Sequence, residues 1–105
     1  FFLLGMGCPT GDPEFNLFMN FGTEGPQNYS RFSNATVDQL LAEQSTILDA
    51  EERSKVMYQI QEELKNDACG APLYYEQQTY GSGADVNGFI IYPDENASMA
   101  YLVRE

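Results

Sequence analysis

Histidine is absent from this 105-residue chain, and cysteine occurs only twice. Histidine is the commonest general base in enzymes and the commonest nitrogen ligand of metals, so its absence argues against an enzyme. Cys8 and Cys69 are too few and too far apart for a disulfide framework, or for a zinc site with closely spaced ligand pairs. We therefore expect no catalytic residue, no metal site and no cofactor.

Basic residues are also scarce, with 5 Lys and Arg against 16 Asp and Glu and a net charge of -11. A chain of this charge is repelled by phosphate backbones and by anionic lipid surfaces. We therefore expect no nucleic acid among its partners.

No long apolar run is present. The longest extends from Phe1 to Cys8 and contains two glycines, whereas a membrane-spanning helix needs roughly 20 apolar residues. The sequence thus predicts no transmembrane segment. The opening residues lack an initiator Met, a basic leader and a small-residue cleavage site, so we expect the chain to be a piece of a longer protein.

The length and a hydrophobic content of 43% allow one modest core. The apolar run Phe1–Met6 is typical of a strand covered on both faces, and turn-forming residues follow it. Asp12 is a suitable N-cap and Pro13 a suitable first residue for a short helix, which we expect to have two turns or fewer. Tyr29 and Phe32 are the expected anchors of the loop at 22–34.

Two amphipathic helices are predicted next. Asn34 is the expected N-cap of the first and Asp49 of the second. The first places one apolar face at helical spacing, formed by Val37, Leu40, Leu41, Ile47 and Leu48. The second has an inner stripe of Arg53, Val56, Met57, Ile60 and Leu64. Glu51 and Lys55 are spaced for a surface ion pair.

Two further strands are predicted after the helices, at Leu73–Tyr80 and Phe89–Tyr92, with Gly70 and Pro72 ending the second helix. A turn at 93–96 and a final apolar segment follow. The predicted fold class is α/β, or α+β for a fragment, with two antiparallel amphipathic helices packed on a small mixed sheet.

Few side-chain constellations point to chemistry. Asn28, Asn34 and Asn96 begin glycosylation sequons, but the loop and the helix cap already account for the first two. The predicted strand after Pro72 is rich in tyrosine and could present flat amphipathic surfaces to a solute. Composition alone favours an ordinary half-buried strand there, since aromatic enrichment is typical of strands.

Six segments occur in an order and spacing that indicate a family. They are LLGMGCPTGDPEFNL, NYSRFSN, TVDQLL, DAEERSKVMYQIQEELKNDA, APLYY and VNGFIIYP. Together they resemble the C-terminal portion of the bacterial extracellular solute-binding proteins of family 5, the oligopeptide, dipeptide and nickel receptors of ABC transporters.

The resemblance implies a two-lobed fold of the type II periplasmic binding proteins, in which ligand is trapped between lobes joined by crossover strands. Residues 1–72 would supply the strand, turn and helix pair of one lobe. Residues 73–105 would form a crossover strand and a segment returning to the other lobe. In isolation we expect the chain to be a single folding unit.

The function implied is capture of a small solute or peptide and its delivery to an ABC permease. The location implied is periplasmic, or lipid-anchored on the cell surface. An alternative is a surface lipoprotein of the same fold that acts in adhesion or peptide sensing without transport. A hydrolase is a third possibility, for which neither cysteine has a histidine partner.

The implied ligand-binding residues form two groups. One is the rim Met6, Gly7, Cys8, Pro9 and Thr10, and the other is Tyr75 or Glu76 on the crossover strand. Met6 stands where the family usually has an aromatic residue such as Trp, and Pro9 where peptide receptors have an Asp for the ligand's amino group. Glu76 replaces a frequent Tyr, and could receive a cationic part of the ligand. Uncovered apolar faces also predict a dimer or a swapped assembly for the isolated chain.

Overall fold

The computed structural model describes residues 2–92, 97–98 and 100–104. Its helices are α1 (Pro13–Phe21), α2 (Ala35–Gln44) and α3 (Ala50–Asn66). Its strands are β1 (Val86–Asn87), β2 (Ile90–Ile91), β3 (Ala97–Ser98) and β4 (Val103–Arg104). The chain divides into two compact units: a helical unit, Asp12–Pro72, and a strand unit made of Phe1–Gly11 and Leu73–Glu105.

Each helix begins after the N-cap that the sequence predicts. The Asp12 carboxylate accepts from the N–H of Glu14 at 2.9 Å, and Asn34 and Asp49 each accept two backbone N–H bonds of their helices. Such bonds satisfy donors that have no partner within a helix's first turn. The three starts, together with Pro13 as the first residue of α1, confirm the local interpretation of the sequence.

The ends of the helices differ from the prediction. The 9 residues of α1 exceed the expected two turns, because one turn takes 3.6 residues. Helix α2 stops at Gln44, and N–H groups of Thr46 and Ile47 then bond the last carbonyls of the helix. Helix α3 stops at Asn66, before the expected Gly70, and Ala68 follows with φ of 48°.

The core lies where the three helices meet. Its buried apolar side chains are Leu17, Val37, Leu41, Val56, Met57, Ile60 and Leu64. Phe32 packs against this cluster, as expected of a loop anchor, whereas the side chain of Tyr29 is exposed. Leu48 was placed on the apolar face of α2; it lies beyond the end of that helix and is exposed.

The helical unit contains no strand, so within it the helices pack on one another and not on a sheet. The strand unit has two short antiparallel ladders. In one, Val86 pairs with Arg104 and Asn87 with Val103; the other joins β2 to β3. The protein is therefore a small helix-plus-sheet structure, and the expectation of a mixed sheet is wrong because both described ladders are antiparallel.

Two predicted strands are not formed. Residues 2–7 and 73–80 have no regular secondary structure, and their large apolar side chains are exposed. A strand is stable only when a neighbour completes its hydrogen-bond ladder, and an apolar run does not specify that neighbour. The strand predicted at Phe89–Tyr92 is confirmed in its centre by β2. The turn predicted at 93–96 lies outside the described residues.

Candidate functional site

Three of the rim residues implied by the resemblance, Cys8, Pro9 and Thr10, lie in a turn of the strand unit. The N–H of Gly11 donates to the carbonyl of Cys8 at 3.1 Å, which closes a four-residue turn. Gly11 has φ of 70°, a left-handed conformation that glycine adopts without strain. Within this turn Cys8 is partly buried and Thr10 exposed, and Met6 and Gly7 before it are exposed.

Tyr75 and Glu76 lie in the exposed segment 73–80, and Tyr75 has a relative exposure of 101%. Later in this segment, the hydroxyl of Tyr80 donates to the side-chain oxygen of Gln78. The ring centroids of Tyr80 and Phe89 are 5.8 Å apart. The segment thus exposes tyrosine rings and the carboxylate of Glu76, which a bound molecule could contact. Binding of a solute by these residues and by the rim stays a prediction.

The helical unit contains a polar cluster centred on Arg53, on the inner stripe of α3. The guanidinium donates from Nη1 to Asp12 Oδ2 at 2.7 Å and from Nη2 to Asp12 Oδ1 at 3.0 Å. Nη2 also donates to Glu14 Oε2 at 3.2 Å, and Nε donates to Gln44 Oε1 at 2.9 Å. A planar fork of donors suits such two-point recognition of a carboxylate. We call this set of four residues the Arg53 clamp.

The electrostatics of the clamp favour its charged form. The hydrogen bond from Arg53, and then the bond from the Glu14 N–H, lowers the pKa of Asp12 below its ordinary value. The same hydrogen bond with Asp12 raises the pKa of Arg53. Both groups therefore stay charged at neutral pH, which suits a structural contact better than proton transfer.

Gln44 completes the clamp from the end of α2. Its side chain is fully buried; its Nε2 donates to the carbonyl of Leu41 at 3.0 Å while its Oε1 accepts from Arg53. A buried amide is stable when both of its polar ends are bonded. The clamp thus contacts all three helices.

Two grooves lie on the helical unit. The first, of about 450 Å³, has three carboxylates among its lining residues, which are Glu14, Phe18, Thr23, Glu24, Asp38, Leu41, Ala42 and Ser45. The second, of about 360 Å³, is lined by Pro13, Ala50, Arg53, Ser54, Met57, Tyr58 and Gln61. Neither groove is lined by a residue that the sequence assigned to ligand binding.

The carboxylate of Asp38 in the first groove already has protein partners. It accepts from the N–H of Thr23 at 2.8 Å and from the hydroxyl of Thr23 at 2.5 Å. These bonds join the loop after α1 to the first turn of α2. The groove's acidic character therefore partly reflects a structural contact.

The sequons at Asn28 and Asn34 have structural roles, as the sequence predicts. Asn28 Nδ2 donates to the carbonyls of Gly22 and Phe32 at 3.0 and 2.7 Å, and so shapes the loop after α1. Asn34 Nδ2 donates to Asp67 Oδ2 at 2.6 Å, which joins the start of α2 to the end of α3. Asn96 lies outside the described residues.

Over the ranges that the structure describes, no three His, Cys, Asp or Glu side chains are grouped so that they could hold a metal ion. In the same ranges, no helix has the length and apolar character needed to cross a bilayer.

The Arg53 clamp was missed by the sequence analysis. The sequence pattern indicates Asp12 only as a helix cap, and Arg53 only as a member of the inner apolar stripe of α3. One signal was available, because an arginine on a buried stripe needs acceptors. The sequence does not say which of the chain's many carboxylates supplies them.

Comparison with known proteins finds no protein-family model, no curated protein and no solved structure that matches this chain.

Proposed function

We propose that this chain is part of the solute-binding component of an ABC importer. It would capture an oligopeptide, a dipeptide or a related small solute between two lobes and deliver it to a membrane permease. The observation that carries the proposal is the order and spacing of six sequence segments, from LLGMGCPTGDPEFNL to VNGFIIYP. The absence of histidine agrees with a protein that holds its ligand without transforming it.

The exposure of two segments supports the proposal physically. The resemblance assigns residues 6–10 to the cleft rim and the segment from about Leu73 to the crossover strand. Met6 in the first segment is exposed, and so are Tyr74 and Tyr75 in the second. Tyrosine rings combine an apolar surface with a hydroxyl and suit contact with mixed polar and apolar solutes. Glu76 adds a negative charge at the same place and favours a ligand with a cationic group.

The proposed mechanism is a shift between an open and a closed arrangement of the two lobes. A solute that contacts both lobes binds the closed state more tightly and increases its population. No bond of the solute is made or broken. The permease then receives the loaded receptor.

The proposal can be tested by mass spectrometry of small molecules released from the full-length protein after purification under native conditions. We expect a defined solute in a stoichiometric amount. The importer proposal would be contradicted if no solute is released and if no permease or ATPase gene lies beside the gene for this protein. That result would favour a role in adhesion or sensing.

The role of Glu76 can be tested separately with the released solute. Glu76→Gln in the full-length protein should weaken its binding, measured by calorimetry, because the substitution removes a charge and keeps the shape. Glu62→Gln, at an exposed position of α3, is the matched control and should bind as the unsubstituted protein does. If the unsubstituted protein, Glu76→Gln and Glu62→Gln bind the solute with equal affinity, Glu76 is not a ligand-binding residue.

A further inference from the structure

The Asp12 carboxylate is held from two sides. Its Oδ1 accepts from the Glu14 N–H at 2.9 Å and from Arg53 Nη2 at 3.0 Å, while its Oδ2 accepts from Arg53 Nη1 at 2.7 Å. The first bond belongs to the helix cap, and the other two belong to the clamp. Together they restrict the side chain of Asp12 and, through it, the backbone where α1 begins.

The turn of residues 8–11 ends one peptide bond before this residue. The turn is closed by the bond from Gly11 N–H to the Cys8 carbonyl, and its last residue has φ of 70°. A short turn has few free dihedral angles, so fixing the residue that follows it removes part of its remaining freedom.

We propose that Arg53 is a positioning residue for the ligand rim: by holding Asp12 it orders the turn of residues 8–11. This inference rests on the proposed function, because only the solute-binding assignment makes the turn a rim. Arg53 acts on the turn through its two hydrogen bonds to Asp12. Ordering the turn before the solute arrives reduces the entropy lost on binding.

Cys8 provides a direct reporter, because it is part of the turn and is partly buried. The experiment measures the rate of alkylation of Cys8 and Cys69 by iodoacetamide in the full-length protein, with peptide mass spectrometry to separate the two sites. Arg53→Lys keeps the charge but loses the fork of donors, and Asp12→Asn keeps a good N-cap but loses the charge. Both should raise the rate at Cys8 several-fold and leave the rate at Cys69 unchanged.

Lys55→Met is the matched control, since Lys55 lies on the same helix and makes an exposed surface pair with Glu51 at 3.3 Å. It should leave both rates unchanged. An unchanged Cys8 rate in Arg53→Lys and Asp12→Asn would overturn the inference. Equal acceleration at both cysteines would also overturn it, because that result indicates general loosening of the fold.

The labelling result does not depend on any solute, so it separates this inference from the proposed function. If the unsubstituted protein releases no solute, the proposed solute-binding function is wrong, and the turn is not a ligand rim. Whether Arg53 orders the turn is still decided by the alkylation rate of Cys8. If a solute is released, Arg53→Lys should retain less of it per mole of protein than Lys55→Met. Equal retention by the two variants would overturn the positioning role in binding.

Discussion

Asp12 and Arg53, 41 positions apart in the chain, form a two-point ion pair through both carboxylate oxygens and both terminal guanidinium nitrogens. The pair joins the N-cap of α1 to the inner stripe of α3. The exposed fractions of the two side chains are 40% and 27%, so water screens the attraction in part and the geometry matters more than the charge alone. The pair therefore contributes to the fold chiefly by fixing how α1 lies on α3.

Two substitutions of Asp12 separate its roles as cap and as ion-pair partner. Asp12→Asn retains a side-chain acceptor for the Glu14 N–H, whereas Asp12→Ala removes both roles. We expect the free energy of unfolding to fall in the order wild type, Asn variant, Ala variant, with about 1 kcal/mol between the last two from loss of the cap. Urea unfolding followed by circular dichroism measures these values, and equal stability of the two variants would contradict the cap assignment.

The stability provided by this pair should depend on pH. Arg53 lowers the pKa of Asp12 below its ordinary value of 3.8, so the folded state favours the charged carboxylate. The resulting stability is fully present above pH about 3.8, and is lost as the pH falls through the lower pKa of the folded state. The difference in unfolding free energy between wild type and Asp12→Asn should therefore be constant from pH 5 to 7 and shrink below pH about 3.8. If the difference in unfolding free energy instead grows as the pH falls, the pH dependence has the opposite sign, and the Asp12–Arg53 pair is not its cause.

Ile60 and Leu48 form a contrasting pair for the core. Ile60 has a relative exposure of 0% and Leu48 of 101%. Ile60→Ala should lower the free energy of unfolding by about 2–5 kcal/mol, because it leaves a cavity among the three helices. Leu48→Ala should change the free energy by less than about 0.5 kcal/mol. A large loss of unfolding free energy in the Leu48 variant would indicate that Leu48 is buried, as expected if α2 continued to it as the apolar spacing predicts.

The helix starts could be predicted from the sequence because their causes are local. Asp12, Asn34 and Asp49 each bond N–H groups two or three residues ahead, and short-range spacing shows this. Helix ends were harder to place. Apolar spacing continues through Ile47 and Leu48, although the helix stops at Gln44, and the pattern cannot show that a turn interrupts it.

The strands and the Arg53 clamp depend on partners that are distant in the chain. An apolar run such as residues 2–6 or an aromatic run such as 73–80 predicts a strand only if a neighbour completes the ladder. The clamp likewise joins residues from three helices, including the buried Gln44, whose role no local pattern indicates. The candidate rim was therefore identified through resemblance to a family, and the residues that hold the adjoining helix were found only in the structure.

Cys69 should react slowly with alkylating reagents. Burial is the main cause that raises the pKa of its thiol, whose Sγ donates to the carbonyl of Leu64 at 3.3 Å. A raised pKa leaves less of the reactive thiolate at any pH below it. In a Cys8→Ser background, alkylation of Cys69 at pH 8 should be slower in the folded protein than in urea. Equal rates in the two conditions would show that the folded protein does not protect this thiol.

The 105-residue chain should associate with itself through the segment that follows Pro72. Leu73, Tyr74 and Tyr75 are exposed together, and burying such apolar surface against a second copy is favourable. Light scattering coupled to size-exclusion chromatography should detect a dimer or a larger assembly, and the double substitution Leu73→Ser with Tyr75→Ser should shift it toward the monomer. Tyr58→Ser, at an exposed position of α3 in the helical unit, is the control and should leave the association unchanged. A monomer at all concentrations would show that the net charge of -11 opposes association more strongly than these apolar side chains favour it.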